Sequence, residues 1–327
     1  MHQHRLIGLD DRQGWMAALD GMPHAFAHTW ESCHAMHLTI GQPVSLYVAE
    51  GSGSKVVCPI AVRRVAAHTD VFTPYGFGGF LAQGDDTDLT RPWRDFARQQ
   101  GWVSGYIGLN PIFSPAACRL QPDYVEYNEI YVLNLTLHTE ELYAALSENR
   151  QRQVRSASLS DWRIEDRRRL REFFLDHVSA FHMEHGASAA YAFSRATFEA
   201  LLALDNVLLL GSGDEKSVTA VSIFAWTPSC AEYLFNVSRP EGRQYSAPII
   251  WHAALRLRQM GIPLLNLGGG ITKNDGVAQF KKRFGAKRMP LGSLRQVFRR
   301  DVYDQLCSEV GADPDSRSGY FPPFRKI

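Results

Sequence analysis

Hydrophobic and polar positions along the chain switch between two periods, and the switches delimit the elements. Apolar repeats of three to four residues predict helices over 11–19 and 29–40, the second opening on Thr29 as a cap. Apolar runs with strand character cover 44–49 and 56–65, and the turn Gly51-Ser52-Gly53-Ser54 between them predicts a hairpin. A glycine- and aromatic-rich loop, Thr73-Pro74-Tyr75-Gly76-Phe77-Gly78-Gly79-Phe80, comes next. It is followed by a predicted helix near 92–100 and strands at 102–109 and 129–135.

The second half repeats this order. A short strand at 161–164 precedes helices over 165–184 and 194–204, then three consecutive strands at 207–212, 217–225 and 231–237. A helix over 246–260, a strand at 264–267, a helix over 277–284 and a strand at 293–298 complete it. Each half reads as two helices, three strands, a helix and a strand, so a duplicated α/β unit is expected without a visible sequence repeat. The tail 311–327 is expected to be irregular, with Tyr320, Phe321 and Phe324 pinning it to the body.

Length and charge narrow the picture. At 327 residues the chain is long for one core, so two domains are expected, 1–140 and 141–327. The balance of 35 basic and 34 acidic residues argues against a nucleic-acid binder acting with its whole surface. The charge is uneven, however. Nine Lys or Arg stand against the single acid Asp275 between Lys273 and Arg300, and eight Arg stand against three acids between Arg150 and Arg171. Such runs are commonly solvated faces; the first lies beside a glycine turn, where a polyanionic ligand is more credible.

Five scattered cysteines, without CxxC spacing, fit a reducing compartment. The N-terminal residues lack the apolar stretch of a secretory signal, and no run approaches the ~18 apolar residues of a membrane span, so a cytoplasmic location is expected. The pairs His34/His37 and His182/His185 have helix-face spacing but no third converging ligand, and no metal site is expected. A Gly-x-Ser-x-Gly elbow is absent.

The most informative stretch is Leu264-Leu265-Asn266-Leu267-Gly268-Gly269-Gly270-Ile271, followed by Phe280-Lys281-Lys282-Arg283-Phe284-Gly285. A short strand ending in three glycines lets backbone approach a neighbour closely and tolerates positive φ. The basic helix after it brings cations to a place where a phosphate or a developing oxyanion could sit. Phe280 and Phe284, four apart, read as core.

The order helix, helix, three antiparallel strands, helix, strand resembles the GNAT acyltransferase unit, and the chain resembles its FemAB branch, in which two such domains sit in tandem. The resemblance is carried by residues 149–157 after a helix and by Tyr233-Leu234-Phe235-Asn236-Val237-Ser238. It continues with Ala247-Pro248 opening the helix of Trp251, Leu267-Gly268-Gly269, Gln279-Phe280-Lys281, and the Tyr75 loop in the first half. It spans about residues 20–300, and order and spacing carry it rather than any single motif. It implies an α/β (α+β) chain of two tandem GNAT-like domains, each a mixed, largely antiparallel sheet flanked by helices.

The resemblance also implies uses for particular residues. The turn 238–246 would hold the donor, through Ser238, Arg239, Gly242, Arg243 and Ser246, with Gly268 and Gly269 nearby. The acetyl-CoA signature there is Arg/Gln-x-x-Gly-x-Gly/Ala; this chain has Arg239 and Gly242, but Gln244 replaces the second small residue and obstructs close phosphate approach. Lys281 would stand at the reacting ester or thioester, where a cation about 3 Å from the oxyanion lowers the barrier by a few kcal/mol. Tyr233 and Glu232 lie on the strand beside the donor loop, and alternation lets one of them face the cleft; Tyr233 is the candidate catalytic partner. Tyr75 and Tyr191 are candidate acceptor contacts.

The implied function is an N-acyltransferase that moves an acyl or aminoacyl group to the amine of a sugar or peptide precursor, one bound for the cell envelope or a polysaccharide. The donor would be an acyl-CoA or other thioester, with no permanently bound cofactor. An aminoacyl-tRNA-dependent transferase is the alternative; the long helical arm often seen in peptidoglycan Fem ligases has no counterpart between 142 and 206. A third reading is a non-catalytic GNAT scaffold that binds an envelope precursor or a partner protein.

Overall fold

The computed structural model describes residues 3–51, 53–84, 90–157, 162–184, 192–316 and 319–325, the side chains of Thr90 and His182 excepted. In chain order the elements are β1 (Gln3–Gly8), α1 (Arg12–Leu19), α2 (Trp30–Ile40), β2 (Val44–Gly51), β3 (Ser54–Val65), β4 (His68–Phe72), β5 (Leu81–Gln83), α3 (Thr90–Gln99) and β6 (Ser104–Gly108). Then come β7 (Tyr124–Asn134), α4 (Thr139–Ala145), α5 (Glu148–Ala157), β8 (Arg163–Ile164), α6 (Arg167–Glu184), α7 (Arg195–Leu202), β9 (Val207–Gly213), β10 (Val218–Thr227) and β11 (Cys230–Ser238). The last are α8 (Ser246–Gln259), β12 (Leu264–Asn266), α9 (Gly276–Lys282), β13 (Lys287–Val297) and α10 (Arg300–Glu309).

Two compact units result, and they are not consecutive halves. One comprises Met1–Tyr127 with Pro290–Ile327, the other Asn128–Met289. A single cut at 140 therefore differs from the observed division, whose boundary falls inside β7 and β13.

In the first unit the strand order is β1-β2-β3-β4-β6-β13, with β5 also paired to β3. All neighbours are antiparallel except β4 and β6, which run parallel at Val71↔Gly105 and Phe72↔Tyr106. Strand β2 is buried on both faces, which explains its continuous apolar run. Val44, Leu46 and Val48 pack with Trp15 and Leu19, whereas Tyr47 and Ala49 pack with Trp93 and Phe96. Helix α2 starts at Thr29, whose side chain accepts from Ser32 N, and stops at Gly41 in the left-handed conformation. The tail does pin to the body through Phe321 and Phe324, packed on Tyr303 of α10. Arg325 adds two hydrogen bonds to the buried Asp70 carboxylate, which Arg63 also clasps.

The second unit has the order β8-β9-β10-β11-β12-β7, antiparallel except for β11 and β12. This is the first unit's order repeated strand for strand. In each unit the strand beyond the parallel pair comes from the other half of the sequence: β13 beside β6, and β7 beside β12. One face of the second sheet is covered by α8, whose Ile249, Ile250, Ala253, Ala254 and Leu257 pack on Leu133, Leu265 and Leu267.

Candidate active site

The parallel strands β11 and β12 align Ala231 with Leu265 and Glu232 with Asn266. Just past β12 the chain turns through Gly268, Gly269 and Gly270. Gly268 needs its freedom because its φ is +71°. Gly269 needs the absence of a Cβ, which would lie 2.3 Å from the carbonyl oxygen of Glu129. The turn is clamped on β7 by backbone bonds: Tyr131 N donates to Gly268 O at 3.1 Å and Leu267 N to Tyr131 O at 2.8 Å. Side chains add to the clamp, since Asn128 Nδ2 donates to Gly270 O at 2.9 Å and Gly268 N donates to Asn266 Oδ1 at 2.8 Å.

Helix α9 leaves this turn through Asp275, whose Oδ1 accepts from Ala278 N at 2.7 Å and whose Oδ2 accepts from Thr272 N at 2.9 Å. Burial pushes the Asp275 carboxyl up. The N–H groups of Ala278, Thr272, Ile271 and Val277 together outweigh that effect and hold it below its usual range.

One turn further along α9, Lys281 reaches back, and its Nζ donates to Gly269 O at 2.6 Å. Desolvation lowers the Lys281 ammonium from its ordinary value to about 8, opposed by the negative Asp275. Phe280 and Phe284 face inward as expected; Phe284 is a core residue and Phe280 packs against it. Buried Arg150 of α5 lies on both rings, its guanidinium 4.1 Å from the Phe280 centroid and 5.3 Å from that of Phe284. Arg150 Nη2 also donates to Phe280 O at 3.4 Å, so this side chain sets the seat of the residue before Lys281. Burial, and after it nearby Arg283, lowers the Arg150 guanidinium to about 10. Lys282 is exposed.

Strand β7 adds residues that local sequence did not mark. Tyr131 donates a hydrogen bond to the buried Glu129 carboxylate, and Arg288 lies 3.5 Å from that group's other oxygen. Burial and the bond to Glu129 push the Tyr131 phenol up to about 12. The alternation of Glu129, Tyr131 and Leu133 reads as a strand, but nothing local links it to a glycine turn more than a hundred residues later.

The expected donor turn is a 3₁₀ segment, Pro240–Tyr245, between β11 and α8. Three amides in and beside it are engaged. Arg239 N donates to Thr219 O at 2.8 Å, Gly242 N to Arg239 O at 3.0 Å, and Ser246 N to Arg243 O. Gly242 is glycine because a Cβ there would meet Thr219 O at 2.3 Å. The Arg239 and Arg243 side chains of this stretch are exposed. Arg239 Nη2 donates to His177 Nε2 at 3.1 Å, and Arg243 lies 3.7 Å from Glu184. Ser238 and Arg239 border a recess against α6.

Tyr233 stacks on Phe224, centroids 5.0 Å apart, and its phenol is pushed up to about 12 by burial, against a hydrogen bond with Ser222. Glu232 is buried in register with Asn266. Lys281, Gly268 and Gly269 thus form one cluster, and Ser238, Arg239 and Arg243 a second. Tyr75 sits in the first unit, partly exposed on its loop. Tyr191 lies outside the described residues. No group of three metal-ligating side chains occurs among the described residues, and none of their helices is long and apolar enough to cross a membrane.

Residues 208–291, which carry β9 to β12 and Lys281, match the FemAB family model. The structure is similar to that of FemX, with TM-score 0.64 and 12% identity over 93% of this chain and 99% of that one. It is also similar to a conserved protein of unknown function from Bacteroides thetaiotaomicron, with TM-score 0.57 and 13% identity over 91% and 100% of the two chains. L-PGS from Bacillus licheniformis gives 0.54 and 12% over 87% and 92%. At such identities the likeness is one of fold. No curated protein matches in sequence. The chain thus carries a FemAB-like stretch over the glycine turn and Lys281, within a fold that it shares with FemX along most of its length.

Proposed function

We propose that the protein is an N-acyltransferase that moves an acyl or aminoacyl group from an activated ester or thioester to the amine of a sugar or peptide precursor. The observation that carries this reading is Lys281, a desolvated ammonium held at 2.6 Å by the carbonyl of a glycine turn. An ammonium has three N–H donors, and Gly269 takes one. The others are available to an acyl oxygen. As the amine attacks, a C–N bond forms, the carbonyl oxygen gains negative charge beside Lys281, and the C–O or C–S bond to the donor breaks. The amine proton leaves with the departing oxygen or sulfur. A cation fixed in a poorly solvated place acts on that charge more strongly than one in water.

The test is turnover with panels of acyl-CoAs, aminoacyl-tRNAs and amine acceptors, wild type beside Lys281→Met. Loss of the cation is expected to lower kcat by ~10²–10³-fold. The wild-type rate is expected to fall along an alkaline limb near pH 8, where Lys281 gives up its proton. A Lys281→Met protein of undiminished kcat would overturn the role, and a chain inert to every donor that still binds an envelope precursor would favour the scaffold reading.

The engaged amides of the donor turn favour an aminoacyl ester of tRNA over a CoA thioester. GNAT-type recognition of a pyrophosphate needs free backbone N–H groups, and those of Arg239, Gly242 and Ser246 are taken. Ribonuclease added to the assay separates the two: a tRNA-dependent reaction stops, and a CoA-dependent one continues.

A further inference from the structure

The third glycine of the turn owes its place to a side chain that opens α9. A Cβ on Gly270 would lie 2.3 Å from Asp275 Oδ1 and 2.8 Å from Oδ2, so the Asp275 carboxylate fills the space that a side chain would need. Asn274, with φ +62°, delivers it there, and asparagine enters the left-handed region more readily than most residues. The carboxylate gathers amides from both sides of the bend: Ile271 and Thr272 from the turn, Val277 and Ala278 from α9. Turn and helix are thus tied through one side chain. Lys281 is seated one residue away. Its Nζ donates to Gly269 O while the carboxylate lies against Gly270, so the ammonium and the carboxylate occupy consecutive residues of one bend. Among the described residues Lys281 forms no ion pair, yet the negative Asp275 acts on its charge.

Other charged groups reach this bend from the elements packed on it. Strand β7 brings Glu129, which accepts from Tyr131 and is matched by Arg288 of β13. Helix α5 brings Arg150, whose guanidinium lies on the Phe280 and Phe284 rings with Arg283 near it. Lys273 and Lys282 are exposed on the bend and on α9. Asp275 is the acid among these that acts on the Lys281 charge. We propose that Asp275 is the positioning residue for Lys281: its carboxylate locks the bend so that Gly269 O faces the ammonium, and its charge stands near without occupying the ammonium's donors. A direct ion pair would hold the lysine and quench it. A separated carboxylate favours the proton on a desolvated lysine and leaves two of its N–H groups for an oxyanion. The inference rests on the oxyanion role of Lys281 and deepens it.

The test is titration of the full chain, which needs no substrate. NMR of dimethylated lysines reads Lys281 as the signal that Lys281→Met lacks. Asp275→Asn keeps a side-chain oxygen to cap Ala278 N and removes the charge. It is expected to move the Lys281 titration down from about 8, by ~0.5–1 pH unit, and the alkaline limb of kcat with it. Asp214 likewise accepts amides, from Lys216 and Ser217 N at 2.8 Å, in an exposed turn. Asp214→Asn is expected to leave the Lys281 titration in place. Coupling between two sites is reciprocal, so the Asp275 carboxyl should titrate higher in Lys281→Met than in wild type. This second reading stands even where a thermal melt shows that Asp275→Asn has lost its fold. A folded Asp275→Asn whose Lys281 titrates as in wild type makes the carboxylate a helix cap alone and overturns the proposal. An Asp275 carboxyl indifferent to Lys281→Met overturns it as well. Both couplings in a chain that turns over no donor would support the pairing and remove the oxyanion reading, so the two failures are distinguishable.

Discussion

At the residue scale, the role proposed for Lys281 sets folding against chemistry. A lysine in water keeps its proton to about pH 10.4, whereas in this fold Lys281 releases it at about 8. Between those values the unfolded chain binds more protons than the folded one, so this group makes stability rise with pH over the interval. Below it, the part-buried charge lowers stability by a constant amount. Lys281→Met is therefore expected to raise stability at pH 7 by ~1–3 kcal/mol while it removes activity. Denaturant melts at pH 7 and pH 10 check this: the gain should shrink at the higher pH. A melt unchanged at both pH values would mean that the ammonium is solvated, and the oxyanion role would lose its electrostatic basis. A lysine one turn into a helix behind three glycines is a local pattern that the sequence displays; its bond to Gly269 O is not.

At the element scale, the glycine turn and α9 act as one device, and two glycines in it separate site from scaffold. A Cβ at Gly269 would lie 2.3 Å from Glu129 O, backbone against backbone, so the turn must shift. The carbonyl that seats Lys281 shifts with it. Gly269→Ala is expected to destabilise by ~1–3 kcal/mol and to lower kcat together with stability. Gly276 opens α9, and a Cβ there meets nothing within 4 Å. Gly276→Ala is expected to stabilise by ~0.5–1 kcal/mol and to leave turnover alone. Melting and kinetics on the two variants check the contrast; equal kinetics would detach the turn from the chemistry.

The elements themselves were unevenly legible. The consecutive strands β9, β10 and β11 follow from long apolar runs, and α2 from its cap Thr29, whereas the cap of α9, Asp275, was not marked in the sequence. Strands β1 and β4 were missed because Gln3–Gly8 and His68–Phe72 are short and half polar, which suits shallow burial better than a core pattern. The turn 238–246 was marked in the sequence by its arginines and Gly242. That Thr219 and Arg239 take the amides of this turn depends on a partner strand, and no local pattern reveals it.

At the scale of the whole molecule, duplication was legible and exchange was not. Repeated element order predicts two similar units, and the sheets repeat strand for strand. Nothing in the local pattern of β7 or β13 tells which sheet each joins, because an apolar alternation suits either. The exchange nevertheless builds the site: β7 supplies the backbone that clamps Gly268, the Asn128 amide on Gly270, and the carbonyl against which Gly269 must remain glycine. A fragment spanning 128–289 keeps that clamp. A fragment spanning 136–289 lacks it, and the edge of β12 that pairs with Leu133 and Val132 is left without its antiparallel neighbour. Leu133 and Tyr131 also leave the core cluster they share with Leu265 and Phe284. The longer fragment is therefore expected to melt cooperatively and at a higher temperature, and to retain a Lys281 that titrates near pH 8. The shorter one is expected to melt broadly, with Lys281 titrating near the ordinary lysine value. Circular dichroism and NMR of dimethylated lysines read both properties. Indistinguishable fragments would show that the glycine turn holds its shape without β7, and the site would then be local to α9 and β12.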